Sequence, residues 1–471
     1  MTITTKHGKT LKLKDLTLYT VSAILLLDTL AATASAGASS IFWWLLLGLV
    51  YFLPFGLISA EMGTTYPEQG GIYAWVRDAY HKRWASRVTW CYWVTNAFWC
   101  PAIYILFAGI FSQLFAPDLS LNWQIAIGIA LAWLTVLINI VTMNVGKWIP
   151  NLGAILKAVI FISIIIGGIF YTLNNGMANP LTLEAMTPTW GNSLQYIPVI
   201  IYGMMGFELM SSSSDEIKDP GRDIPKAILY SGLIILAFYT LGTVAILAAI
   251  PAHDINLVEG LIDTLNLFFG QSALGRGFVI ALGVAALFTF FSNGVTWAMG
   301  CNRSLAEASL EGELPRFLGW EHKTHNTPIG ASIALGTFST IALLFYGYIA
   351  GTNEDLFWSL FSFAAVIFLL PYIGMLLAFI KMRKIDGSRP RPFKVPGNDF
   401  MAIILATTCI IIVIIAIALF LYIPGEGVVW NVLIGTLCTL TFGEILIRSA
   451  EIEKHDQAPS EKLKGAIPPS F

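Results

Sequence analysis

Residues 203–225 read GMMGFELMSSSSDEIKDPGRDIP, and they set a carboxylate, Glu208, inside a segment whose upstream flank, NSLQYIPVIIYGMM, is apolar enough to lie in a membrane. Downstream come four consecutive serines and an exit marked by Lys218, Pro220, Arg222 and Pro225. A charge at membrane depth costs roughly 2.5–3.5 kcal/mol on insertion scales, so it needs a partner or a water-filled cavity and is a functional candidate by default. The surrounding glycines and serines weaken the helix where that charge has to be solvated. What Glu208 faces must come from the rest of the chain.

Composition sets the class. Of the 471 residues 56% are hydrophobic and 12% charged, against about 25% charged in soluble domains, and the mean hydropathy is +0.71. This is the composition of a polytopic membrane protein, whose partner is the lipid bilayer. The formal net charge of −2 argues against nucleic acid. Cys91, Cys100, Cys301, Cys409 and Cys438 lie in or beside apolar segments without CxxC spacing, which reads as apolar filling. His7, His81, His253, His322, His325 and His455 fall in loops or tails, and HExxH and GxSxG are absent, so enzyme chemistry, a cofactor or a metal site is not expected. Lysines 6, 9, 12 and 14 followed by an apolar run and ATASAGA have features of a signal peptide. Asp28 interrupts the apolar core, however, and the small residues run straight into another apolar segment, so the first span is expected to be retained.

Apolar stretches of about 20 residues fall near 15–38, 41–62, 86–115, 123–144, 150–173, 194–214, 226–250, 274–304, 328–349, 356–381, 399–423 and 427–447, which makes twelve transmembrane helices in an all-α fold. Lys and Arg alternate between loops. They gather before span one, after span two (Arg77, Lys82, Arg83, Arg87), at Lys147 after four, at Lys218, Arg222 and Lys226 after six, at Arg303, Arg316 and Lys323 after eight, and from Lys381 to Lys394 after ten. The other connections carry mainly Asp and Glu, with Arg276 the exception. By the positive-inside rule both termini are cytoplasmic. Segments 251–273 and 305–327 have the length for amphipathic surface helices, and the tail 448–471 is polar and Pro/Ser-bearing enough for partial disorder. The organisation is thus a cytoplasmic segment 1–14, a core 15–385, two further helices in 386–447 and a cytoplasmic tail.

Two spans are interrupted alike. Span one passes from LLLDTLAA into TASAGASS, and span six from GMMG through FELM into SSSSDE. Interruptions at corresponding positions of two halves point to a transporter with an inverted repeat, whose site lies where the broken helices expose backbone groups. Close helix packing through small residues accounts for the same pattern in span one.

These residues resemble the amino acid–polyamine–organocation superfamily, within it the branch of bacterial glutamate/GABA-type antiporters, over roughly residues 15–385. LLLDTLAATASAGASSIF is similar to the branch's first helix, AEMGTTYPEQGGIYAWV (60–76) to the exit of the second, GFE with DPGRDIP to the sixth and its exit, and WAMGCNRSLAEASLEGELP (297–315) to the stretch ending helix eight. The resemblance implies a five-plus-five inverted-repeat core with broken helices one and six, two additional helices and alternating access in the cytoplasmic membrane. It implies a gating or pH-sensing role for Glu208, an aromatic closing over substrate at Tyr202 beside Gly206 and Phe207, and an aromatic site floor at Trp297. Some relatives carry Trp where Tyr202 stands, so the stacking partner differs. Without the resemblance, ordinary packing or a lipid-facing position is the reading of both aromatics; with it, the site is.

Lys157 lies about 10 Å into span five at ~1.5 Å per residue. In several sodium-independent superfamily members a fifth-helix lysine takes the place of a sodium ion, touching helices one and eight, although the glutamate/GABA branch usually lacks it; snorkelling is the alternative. Asn293 stands where those exchangers can carry an acid, which weakens a glutamate-type specificity. Asp28 is read as the remaining intramembrane acid, structural or substrate-binding. The backbone donors of Ala34, Ser35, Ala36, Gly37, Ala38 and Ser39, at the expected first break, would hold a carboxylate. The function expected is exchange of an amino acid against a biogenic amine, with a polyamine antiporter or a proton-coupled amino acid permease as alternatives. Oligomeric state stays open.

Overall fold

The structure is a computed structural model that describes residues 12–67, 71–141, 148–188, 191–209, 217, 219–325 and 327–464. The serines 211–214, Lys147 and Lys218 therefore lie outside the described residues. Among the described residues, ten helices are long and apolar enough to cross a membrane. The chain begins with α1 (Leu13–Ile24), where Asp15 accepts the Lys12 N–H at 3.0 Å, and α2 (Leu30–Ser35). Span two runs continuously over Ser39–Thr65 as α3 (Ser39–Leu47), a π-helical turn at Gly48–Phe52 and α4 (Leu53–Thr65). There follow α5 (Ile72–Ala79), α6 (Lys82–Phe115), α7 (Leu121–Val141), α8 (Trp148–Asn175), α9 (Leu183–Met186) and α10 (Ile197–Tyr202). The second half holds α11 (Pro220–Ala249), α12 (Gly260–Phe269), α13 (Ala273–Leu310), α14 (Ile329–Ile349) and α15 (Asn353–Ile385). Last come α16 (Asp399–Leu421) and α17 (Trp430–Lys464), joined by a hairpin in which Tyr422 pairs with Val428 and Ile423 with Gly427.

Helix α6 is the central pillar, packed against both α13 and α15, while α11 packs against α1, α4 and α8. Buried Trp93, Tyr104, Phe357 and Phe361 fill this interior. The outer helices α16 and α17 leave Ile411, Ile414, Leu437 and Ile445 exposed, as a lipid-facing surface requires.

The expected spans one and six are the two that are not continuous. In span one the interruption falls at 25–29, between α1 and α2, and not on TASAGASS. The stretch LLLDT has no glycine or proline to break a helix; side chains from other helices hold it open. The Tyr239 hydroxyl of α11 accepts the Leu26 N–H at 2.8 Å and donates to the Ile24 carbonyl at 2.9 Å, and Lys157 of α8 donates to the Ser22 carbonyl at 2.8 Å. The small residues make the tight turn from α2 into α3, where Gly37 takes φ +73°. In span six α10 ends at Tyr202 and the chain is non-helical at Met205 and Gly206, as the GMMG stretch leads one to expect. Gly206 has φ +122°, and a Cβ there would lie 3.0 Å from Ile24 Cγ1, so the two breaks meet at this glycine.

Two further expectations change. Residues 305–310 do not form a separate surface helix but extend α13, which stops at Leu310 before Gly312 turns the chain at φ +76°. The tail expected to be partly disordered is helical through Lys464, as a continuation of α17, and 465–471 lie outside the described residues. In 251–273, by contrast, the surface helix α12 is present.

Candidate functional site

A small cavity opens where the two breaks meet α6, α13 and α15. The first break contributes Ala23, Ile24 and Leu26, and the second contributes Tyr202 and Met205. Its walls are aromatic because α6 carries CYWVTNAFW: Tyr92, Thr95, Asn96 and Trp99 share a face at i, i+3, i+4 and i+7. Trp297 of α13 stands 6.0 Å from Trp99, and Phe368 of α15 lies 5.9 Å from Tyr92 and 5.3 Å from Tyr202 between ring centroids. Tyr202 is closed from the other side by Phe361 at 5.0 Å. Among the described residues no lysine or arginine lines the space. The Asn96 side-chain nitrogen, buried and lining the cavity, has no hydrogen-bond acceptor among the described residues.

Two buried carboxylates stand behind these walls, and one of them is bonded to a ring that faces the cavity. Asp28, 3% exposed within the first break, accepts the Trp99 indole N–H at 2.9 Å. Glu208, also 3% exposed, lies two residues past Gly206 and accepts the Tyr372 hydroxyl at 2.8 Å. An N–H or O–H donated to a carboxylate leaves its ring more electron-rich, which strengthens the attraction of the ring face for a cation.

The structure thus brings Tyr202 and Trp297 into one cavity and sets Asp28 and Glu208 one side chain behind it. Gly206 is the hinge of the second break, and Phe207 turns away to stack on Phe52 at 4.6 Å. Lys157, 2% exposed, touches α1 through the Ser22 carbonyl. Asn293 lies half-buried on α13, one turn before Trp297, and does not line the cavity. Residues 34–39 do not line it either: the Gly37 N–H goes to the Ala34 carbonyl at 2.8 Å, and the Ser35 and Ser39 hydroxyls to the carbonyls of Ala31 and Ala36 at 3.0 Å. These donors belong to the turn between α2 and α3 because the break lies earlier. Asp28 is also not the remaining intramembrane acid, since Glu61 of α4 is 0% exposed. Sequence reasoning missed Tyr92, Asn96, Trp99, Phe368, Tyr372 and Tyr239. Among the described residues no group of three His, Cys, Asp or Glu could hold a metal ion.

The family model described as amino acid permease matches residues 11–443. The chain belongs to the amino acid permease family. Within the amino acid–polyamine–organocation superfamily the permease is 32% identical, over 442 residues, to a protein of Lactococcus lactis subsp. lactis named a probable agmatine/putrescine antiporter, covering 92% of this chain and 93% of that one. It is 25% identical over 423 residues to a glutamate/gamma-aminobutyrate antiporter of the same organism, covering 82% of this chain and 78% of that one. The crystal structure of the Eremococcus coleocola manganese transporter shares the fold, with a TM-score of 0.57 and 13% identity over 95% of this chain and 98% of that chain. The permease is a multi-pass membrane protein whose relatives are transporters.

Proposed function

We propose that the permease exchanges a small amine-bearing substrate across the cytoplasmic membrane by alternating access, taking an amino acid against its decarboxylated product. In this reading it has twelve spans in a five-plus-five inverted repeat with two added helices, and both termini are cytoplasmic. The observation that carries the reading is an aromatic cavity whose Trp99 is hydrogen-bonded to the buried carboxylate of Asp28, with the buried Glu208 held by Tyr372 behind it. An ammonium group is attracted to such ring faces, by about 0.5–2 kcal/mol per ring, and the Asn96 side-chain N–H group supplies a donor for a substrate carboxylate. Glu208, joined to α15 through Tyr372, closes the route on the cytoplasmic side of the cavity and serves as gate, and Lys157 holds α1 in place of a bound cation.

A second reading is a diamine exchanger of the agmatine/putrescine kind. Two carboxylates behind one cavity suit two ammonium groups, and the relative that is 32% identical carries that name. Counterflow in proteoliposomes loaded with amino acids and amines at two pH values tests both. Competition by putrescine favours the diamine, competition by neutral amino acids the first reading, and exchange of no panel member refutes both. Glu208→Gln flattens the pH dependence of exchange if Glu208 is a gate, and abolishes amine binding if it is the counter-ion.

A further inference from the structure

Glu61, on α4 and away from the cavity, is 0% exposed and accepts from four donors: Arg383 Nε at 2.9 Å and Nη2, Arg391 Nη1 at 3.0 Å, and the Val395 N–H at 2.7 Å. A carboxylate offers about four lone-pair sites, and here all are used. Arg383 Nη1 continues to Asp399 at 2.7 Å, so two guanidiniums face two carboxylates. Buried ion clusters of this kind add little net stability over well-packed apolar residues, and their best-attested use is to specify one arrangement.

What is held here is the end of α15. Arg383 lies eleven residues beyond Tyr372 on that helix, about 16 Å along its axis, and Tyr372 donates to Glu208 at 2.8 Å. Immediately above Tyr372 is Pro371, inside the helix. It has no N–H for the Ile367 carbonyl, which makes it the place where the helix can bend. Residues 372–385 are therefore a rod fastened at one end to Glu208 and at the other to Glu61, with a flexible joint above.

We propose that Glu61 is a positioning residue for the exchange cycle. With Arg383 and Arg391 it fixes 372–385 of α15 to α4, and through that rod it keeps the Tyr372 hydroxyl on Glu208. The role in exchange rests on the reading of Glu208 given above. Arg391→Gln is the informative variant, since it loosens the cluster while Arg383 still pairs with Glu61. In counterflow it is expected to lower the maximum exchange rate about tenfold with KM nearly unchanged. In a Glu208→Gln background it should add less than about twofold, because residues acting through one contact are not additive. Fully additive losses, or a raised KM alone, would overturn the proposal. Amide hydrogen exchange reads the rod without any transported substrate. Arg391→Gln should lose protection over 372–385 and keep it before Pro371, and unchanged or evenly reduced protection along α15 would overturn the positioning. Absence of counterflow in the wild type would refute the exchange reading alone, and hydrogen exchange would still decide whether Glu61 holds the rod.

Discussion

Tyr239→Phe takes one oxygen from α11 and leaves the ring in place, stacked on Trp44 at 4.6 Å and 12°. That oxygen satisfies the Leu26 N–H and the Ile24 carbonyl, two backbone groups freed where α1 stops, at a side chain that is 0% exposed. A buried donor or acceptor left without its partner costs about 1–3 kcal/mol. Two such groups set an upper limit of about 6 kcal/mol, and local relaxation of 25–29 recovers part of it, so a loss of about 2–4 kcal/mol is expected. Reversible unfolding in mixed micelles, followed by tryptophan fluorescence, measures this directly. Tyr230→Phe, on the same helix and 48% exposed, is the control and should stay within about 0.5 kcal/mol of wild type. A Tyr239→Phe protein as stable as that control would refute the claim that this hydroxyl holds the first helix open.

Other substitutions separate the remaining contacts. Trp99→Phe keeps an aromatic wall but removes the donor to Asp28, and if the proposed amine exchange is right, KM for the amine should rise by about tenfold or more in initial-rate counterflow. Gly294→Ala would set a methyl 2.2 Å from the Tyr104 oxygen, which bonds Thr135 at 2.5 Å. Overpacking of about 1–3 kcal/mol is expected in a thermal-shift assay, partly relieved by Tyr104→Phe in the same chain. Glu444→Gln should cost less than about 1 kcal/mol despite its contacts with Arg83 and Arg87, because those groups are partly solvated. Glu61→Gln should cost about 3–5 kcal/mol in the same unfolding assay, since it strips a charge from a closed cluster.

Continuous apolar length and loop charge made the ten long helices legible from the sequence, and the GMMG glycines located the second break at Gly206. The first break was misplaced because composition and not tertiary support guided it. LLLDT looks like uninterrupted helix, and what opens it, Tyr239 and Lys157, is far away in the chain. Small residues signalled a turn and were read as a break. Glu61 was within reach, since the argument that singled out Glu208 and Asp28 applies equally to an acid inside span two, but its partner Arg383 looked like an ordinary loop cation. Tyr92, Asn96 and Trp99 carry the helical spacing of one face, yet periodicity alone cannot tell a cavity wall from core.

The π-helical turn at Gly48–Phe52 decides which way span two looks. In an unbroken α-helix the eight steps from Trp44 to Phe52, at about 100° each, would point those rings about 80° apart. A turn that takes up one extra residue reduces the difference to about 20°. The phase correction lets one helix lay Trp44 on Tyr239, which props the first break, and Phe52 on Phe207, just past the second. Regular α winding over the same residues would instead set the two rings about 80° apart and take one of them off its partner, so span two acts as the common keel of both broken helices only while it stays out of step with itself.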